Sequence, residues 1–287
     1  MLKRKLWRMS FFCQGAYLIV AVSNGGNLKH QAEPIINFSS NDSSHIATEQ
    51  NSFKVRLNPR AAKFAAAYLK ENEEALEQVR ERSKICFRLM DSVLAKYELP
   101  VELKYLAVVE SELKRDAVSH VGAVGPWQLM PATARLLGLK VTSKYDERKY
   151  YSKSTVAAAK YLRDLYCEFG DWLLVIAAYN GGPAPVYKAI KKSGSKNFWK
   201  LQAFLPAETR GHVKRYISTH YYFEGQGGIT TLTKNEMNHY LAKMKEMNAA
   251  NLVKTGTKNT NTLPDSVAKN LIAEKIIKQK SSQKISL

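Results

Sequence analysis

The sequence predicts an all-α fold, because apolar residues recur at helical spacing, glycines and prolines separate short segments, and strand-like alternation is nearly absent. The chain has 287 residues, of which 45% are hydrophobic and 24% are charged. This composition is typical of a globular protein and argues against wholesale disorder. We therefore expect one α-helical domain, with a helical lead-in before it and a basic, weakly structured tail after it.

Residues 1–23 are predicted to be a signal peptide. Basic side chains precede an apolar stretch over residues 11–22, and cleavage after Ser23 would place small residues, Ala21 and Ser23, at the positions that signal peptidases prefer. The alternatives are an uncleaved N-terminal anchor and a disordered basic start. A signal peptide or an anchor predicts an exported protein of the periplasm or cell envelope. Residues 24–55 are rich in Asn, Ser and Gly and are interpreted as a linker.

The next two segments contain the predicted helices. Asn58 and Pro59 resemble an N-cap followed by a first-turn proline, and they begin a helical lead-in over residues 56–95. Short helices separated by Gly and Pro then fill a domain over residues 96–224. They are expected over residues 101–113, over 131–137, from a Ser154 or Thr155 cap to Gly170, from an Asp171 cap to 179, from Pro183 to Gly194, and from Pro206 toward 223.

Residues 225–287 are predicted to form a basic tail that begins with a glycine-rich breaker and a weakly amphipathic stretch over 235–247. After residue 233 the chain has ten lysines against four acidic residues, and its overall formal charge is +19. Such a charge suits any polyanion. Because no nucleic-acid-binding motif accompanies it, we expect contact with an anionic envelope surface and no nucleic acid partner. Without a C-x-x-C pair or a Cys/His cluster, no metal or cofactor is expected.

Glu110 is the candidate catalytic residue. It lies three, four and seven residues after Ala107, Leu106 and Leu103, so it shares the apolar face of its helix. Glu112 lies about 200° further around the helix axis and is expected to face solvent. Burial disfavours a charged carboxylate, which would keep Glu110 protonated as a general acid. Alternatively, it is the edge of the apolar stripe or the partner of a buried cation.

A glycine-containing loop follows this helix. Gly122 and Gly125 permit close approach of the backbone to a ligand. Trp127 and Met130 could offer apolar surface, while Ser119 and Gln128 supply hydrogen-bonding groups. An ordinary turn with a core tryptophan is the alternative.

Three motifs in this region resemble those of the soluble lytic transglycosylase family. The second is Ala-Tyr-Asn-Gly-Gly-Pro over residues 178–183, and the third is Pro-Ala-Glu-Thr-Arg over 206–210. The Gly-Pro-Trp-Gln form of the loop is similar to the membrane-bound lytic transglycosylase D subgroup. Two departures are no recognisable LysM-like repeat after Glu224, and His212 where the third motif usually has Tyr; we expect neither to affect Glu110. The first motif comprises Glu110, Ser111, Ala117, Ser119, Gly122, Ala123, Gly125, Gln128, Met130, Pro131, Ala132, Thr133 and Ala134.

The resemblance implies a lysozyme-like fold and cleavage of the β-1,4 bond between N-acetylmuramic acid and N-acetylglucosamine in peptidoglycan strands, without water. Glu110 would first donate a proton to the glycosidic oxygen and then accept one from the C6 hydroxyl, which leaves a 1,6-anhydro end. Tyr179 is expected to hydrogen-bond near Glu110 or the substrate's acetamido group. The resemblance also implies substrate contacts by Ser119, Gln128, Met130, Tyr179, Asn180 and Glu208.

Three other functions remain open from the sequence. A hydrolytic muramidase would use water in place of the C6 hydroxyl. A non-catalytic wall-binding scaffold would keep Glu110 for packing alone. A nucleic-acid-binding protein is favoured only by the positive charge.

Overall fold

The computed structural model describes residues 54–255, with side chains to residue 250. The predicted signal peptide, residues 24–53 of the linker and the end of the tail lie outside this range. Within it the regular elements are helices, with isolated bridges as the extended structure, so the prediction of an all-α domain is confirmed. The α-helices are α1 (Pro59–Lys96), α2 (Lys104–Ser111), α3 (Pro131–Leu136), α4 (Tyr151–Phe169), α5 (Trp172–Gly181), α6 (Pro183–Ser193), α7 (Phe198–Leu201), α8 (Ala207–Glu224) and α9 (Lys234–Thr255).

Helix α1 begins where the sequence indicates. The Asn58 side chain accepts a hydrogen bond from the Arg60 amide, and Pro59 occupies the first turn. Its buried residues, including Val79 and Leu94, pack on the same core as the later helices, with α4 and α8 as its main neighbours. The lead-in is therefore an integral wall of the domain.

Helix α5 is the centre of this core. Every residue from Trp172 to Ala178 is buried, which a helix apolar on all sides requires. Asp171 caps it as expected, since one carboxylate oxygen accepts from the Leu173 and Leu174 amides. Helices α4, α6 and α8 pack around α5.

Helix α4 begins earlier than expected. Ser154 and Thr155 were the predicted caps, but the helix already begins at Tyr151. Their hydroxyls donate backward to the carbonyls of Tyr150 and Tyr151, so both residues lie inside the helix. Serine and threonine can make either this backward bond or a cap, and the sequence does not distinguish the two roles.

The domain continues past Glu224, into residues that were expected to be a weakly structured tail. Ile229 and Thr230 are buried, and Met237 and Leu241 of α9 join the hydrophobic core. The second carboxylate oxygen of Asp171 accepts from the Lys234 amide at 2.7 Å, which fixes the start of α9. Among the residues described, no helix combines the length and the apolar character needed to span a membrane.

Candidate active site

Glu110 lies on α2, a short helix whose eight residues are all buried. Only 3% of Glu110 is exposed. Beyond it the chain turns through two residues with positive φ, Glu112 (52°) and Leu113 (61°), so the helix ends one residue after Glu110. Glu112 caps the helix and pairs with Lys114 at 2.6 Å, near the surface. The two glutamates thus occupy different surroundings.

The hydrogen-bond partner of Glu110 is His212. The Nε2 atom of His212 lies 2.9 Å from Oε1 of Glu110, and only 2% of the histidine is exposed. Helix α8, which packs against α2, brings the two residues together across 102 positions of sequence. The expectation that the histidine departure would leave Glu110 unaffected is therefore wrong. The other ring nitrogen of His212, Nδ1, is buried without a hydrogen-bond partner among the described residues.

The loop after α2 is held by backbone and side-chain hydrogen bonds. The Ser111 hydroxyl donates to the Pro126 carbonyl at 2.8 Å, which ties the loop to the helix of Glu110. The Ser119 hydroxyl accepts from the Ala123 amide at 2.9 Å, so this predicted substrate contact has a structural hydrogen bond within the loop. Short antiparallel bridges join Val124 to residues 118 and 129. The loop is thus rigidly connected to α2.

Arg148 binds this loop through side-chain hydrogen bonds, a role that the sequence does not indicate. Its Nη1 donates to the carbonyls of Gly122 (2.8 Å) and Leu129 (2.9 Å), while Asp146 binds the other side of the guanidinium. Arg148 is almost completely buried. Its own carbonyl lies so close to Gly125 that a Cβ there would be 2.0 Å from the oxygen. A buried arginine beside an aspartate, some 20 residues after a glycine loop, is too general a pattern to predict this contact.

Gln128 and Asn180 each have a buried polar atom without a partner. Gln128 adopts a positive φ of 45°, which is uncommon for a residue other than glycine. Its Nε2 donates to the carbonyls of Ala117 and Gly125, and its Oε1 has no described partner. The Nδ2 atom of Asn180 is also buried and has no described partner. Buried polar atoms normally form hydrogen bonds, so such exceptions need an explanation, which ligand binding can provide.

The apolar residues of the loop have different positions. Trp127 is completely buried, and its Nε1 donates to Thr155 Oγ1 at 3.0 Å. The expectation that Trp127 offers surface to a ligand is therefore wrong, and the alternative of a core tryptophan holds. Met130 is 41% exposed at the start of α3 and can contact a ligand.

Tyr179 lies close to Glu110, but its hydroxyl is engaged elsewhere. It donates to the Trp127 carbonyl at 2.7 Å. Burial, together with the negative charge of Glu110, raises the pKa of Tyr179 well above its ordinary value, so the hydroxyl keeps its proton. The hydrogen bond near Glu110 was expected from Tyr179, but the residue bonded to Glu110 is His212. The hydroxyl of Tyr179 connects α5 to the loop.

Glu208 lies in the first turn of α8 and pairs with Arg215 about two turns later. Its partly exposed carboxylate is thus compensated by a neighbouring cation.

In residues 54–250, no group of three His, Cys, Asp or Glu side chains is arranged to hold a metal ion. Cys86 and Cys167 are both free thiols.

These features define the class of the domain. Residues 89–202 match the family described as the transglycosylase SLT domain, which includes α2, the loop and α5. Over these residues the chain matches the transglycosylase SLT domain, which confirms the resemblance seen in the motifs. The matched segment ends before α8, so His212 and Glu208 lie outside it.

Two relatives and one solved structure are similar to parts of this chain. Over 166 residues the chain is 37% identical to membrane-bound lytic murein transglycosylase D of Escherichia coli strain K12, and equally to that of strain O6:H1. Each alignment covers 56% of this chain and 36% of the relative, so the chain spans only about a third of their length. The 70 kDa soluble lytic transglycosylase of Escherichia coli is a solved structure with 24% identity and a TM-score of 0.45, covering 62% of this chain and 32% of that one.

Proposed function

We propose that this chain is a lytic transglycosylase that cleaves the β-1,4 bond between N-acetylmuramic acid and N-acetylglucosamine in peptidoglycan. The observation that carries this proposal is the burial of one carboxylic acid, Glu110, on α2 of an SLT domain, with His212 bound to one of its two oxygens. The relatives named lytic murein transglycosylases support the same substrate. Because peptidoglycan lies outside the cytoplasmic membrane, we also propose export to the periplasm or envelope.

The reaction needs only one carboxylic acid. Glu110 donates its proton to the glycosidic oxygen as the bond from that oxygen to C1 of the muramoyl sugar breaks. The C6 hydroxyl of the same sugar then attacks C1, and the Glu110 carboxylate takes up the hydroxyl proton. One bond breaks, one C1–O6 bond forms, and Glu110 ends protonated, ready for another cycle. No water is consumed, and the product carries a 1,6-anhydro end.

An internal nucleophile explains why a second catalytic carboxylate is unnecessary. Glycosidases that use water or a covalent intermediate place two carboxyl groups on either side of the bond. The two other glutamates in the motif regions are engaged in ion pairs: Glu112 with Lys114, and Glu208 with Arg215. A hydroxyl within the substrate is already positioned for attack, and this proximity lowers the barrier.

The substrate's acetamido groups suit the unpartnered polar atoms of the site. An N-acetyl group presents one carbonyl acceptor and one N–H donor. Asn180 Nδ2 is a donor and Gln128 Oε1 is an acceptor, and both are buried without a described partner. We propose that these two atoms bind acetamido groups and that Met130 contacts a sugar ring. A contact between the basic tail and the envelope surface stays a prediction, because most of that tail lies outside the described residues.

The test is cleavage of purified peptidoglycan sacculi, followed by mass analysis of the soluble products. A transglycosylase releases anhydro-ended fragments that are one water lighter than those of a hydrolytic muramidase. Glu110→Gln preserves the shape of the side chain and removes the acid, so the rate should fall by about 10²–10⁴-fold. Glu112→Gln is the matched control and should cleave near the wild-type rate. Reducing ends, one water heavier than anhydro ends, would indicate the muramidase. A wild-type protein that binds sacculi without cutting them would indicate the scaffold.

A further inference from the structure

We infer that His212 is a positioning residue, which holds Glu110 through a proton on Nε2 while Nδ1 stays unprotonated. This inference rests on the proposed function for its kinetic consequence. The protonation of the ring is a property of the folded protein and can be measured without any substrate.

Three arrangements of protons are compatible with a 2.9 Å contact between His212 Nε2 and Glu110 Oε1. In the first, protonated Glu110 donates to Nε2, and the neutral ring then carries its proton on Nδ1. In the second, both ring nitrogens are protonated and Glu110 is a carboxylate. In the third, Nε2–H donates to Oε1 and Nδ1 is bare.

The surroundings of Nδ1 select among these arrangements. Nδ1 is buried and has no described acceptor, and the ring is 2% exposed. The first and second arrangements would both bury an N–H without a partner, and orphaned N–H groups are rarer in proteins than under-satisfied acceptors. The third arrangement avoids this cost.

The third arrangement also suits the chemistry. With Oε1 accepting from His212, the acid proton of Glu110 is on Oε2, the oxygen that His212 does not occupy. When that proton leaves for the glycosidic oxygen, the new carboxylate keeps its bond from Nε2–H, which becomes charge-assisted and therefore stronger. A donor that strengthens as charge develops lowers the barrier. In the first arrangement Glu110 would donate its proton to the histidine instead of to the substrate.

The first measurement is nitrogen-15 NMR of protein labelled at histidine, because protonated and bare ring nitrogens have well-separated shifts. The signals of His212 are those that vanish in His212→Gln. We expect Nε2 to be protonated and Nδ1 bare at neutral pH. A proton on Nδ1, with or without one on Nε2, would overturn the inference even if the enzyme cleaves peptidoglycan as proposed.

The second measurement is the kinetics of matched variants on isolated glycan strands. His212→Gln keeps an N–H donor near the position of Nε2, whereas His212→Phe keeps the ring shape and removes the donor. A hydrogen bond to a charged group is worth about 10- to 100-fold in rate. We expect kcat of His212→Phe to fall by that factor with little change in KM, and His212→Gln to recover most of it. His239→Gln, at an exposed position on α9, is the control.

A purely structural role for His212 would give a different pattern. Thermal unfolding of both variants shows whether each is folded before kinetics are compared. Equal loss of kcat in folded His212→Gln and His212→Phe would refute the positioning role. If the wild-type protein cleaves no peptidoglycan, the proposed function fails, while the NMR result still decides the protonation of the ring.

Discussion

Gly122 and Gly125 have the same backbone conformation in the loop after α2, with φ of 83° and 84°. Only Gly125 lies against another part of the backbone. A Cβ at Gly125 would be 2.0 Å from the Arg148 carbonyl oxygen, whereas a Cβ at Gly122 would have no atom within 4 Å. Alanine at either position incurs the cost of the left-handed conformation, about 1–2 kcal/mol. Gly122→Ala is therefore a control that contains the conformational cost alone.

Gly125→Ala should destabilise the protein by considerably more. The carbonyl must move by more than 1 Å to restore an ordinary contact, because real Cβ atoms essentially never approach within 3.0 Å. Arg148 is the residue that moves, and its guanidinium donates to the carbonyls of Gly122 and Leu129. Loss of two hydrogen bonds from a charged donor adds about 3–6 kcal/mol in the limit where both break.

Chemical denaturation of the two variants measures the difference directly. We expect Gly125→Ala to lower the free energy of unfolding by at least about 2 kcal/mol more than Gly122→Ala, and to reduce cleavage of sacculi at temperatures where it remains folded. Equal losses in the two variants would show that the close approach to Arg148 carries no energetic weight, and the account of the loop support would be wrong.

Two other predictions concern the helices around the site. Gly181→Ala would bring a Cβ within 2.7 Å of Thr209 Oγ1. Because Thr209 is one helical turn before His212, we expect kcat to fall about 10- to 100-fold. Adding Thr209→Ala should restore kcat, and no recovery would contradict transmission of the effect through Thr209. Burial raises the pKa of Asp171 to about 6 and lowers that of His220 to about 4, so as pH rises from about 4 to 6 Asp171 reduces stability while His220 increases it, each by about 3 kcal/mol. Denaturation across this range should show that Asp171→Asn is progressively destabilised by acid and that His220→Phe is destabilised by rising pH; an unchanged profile in both would refute the assignment.

Local signals in the sequence predicted most of the helices. Asn58, Asp171 and Pro183 lie at helix starts as expected, because a cap or first-turn proline acts on the few residues next to it. Trp127 could not be placed in this way, since an irregular loop has no periodicity that separates a buried side from an exposed one. The packing of Met237 on the core was not predicted for a related reason. Few apolar residues of this lysine-rich segment contact the core, so its apolar periodicity is weak.

In the candidate site, too, the local pattern was predictable from the sequence and the long-range contact was not. Glu110 was a candidate because a carboxylate within an apolar stripe contradicts the pattern of its own helix over seven residues. Its catalytic role was then implied by the resemblance of the motifs around it. Its partner His212 lies on α8, 102 residues away, and the contact depends on how α8 packs against α2. The third motif usually has Tyr at this position, and the sequence does not indicate what the histidine contacts. A histidine in that position places a second titratable group in contact with Glu110. We propose that Nδ1, which has no described partner, leaves the ring proton on Nε2, so that Glu110 holds the proton that the reaction needs.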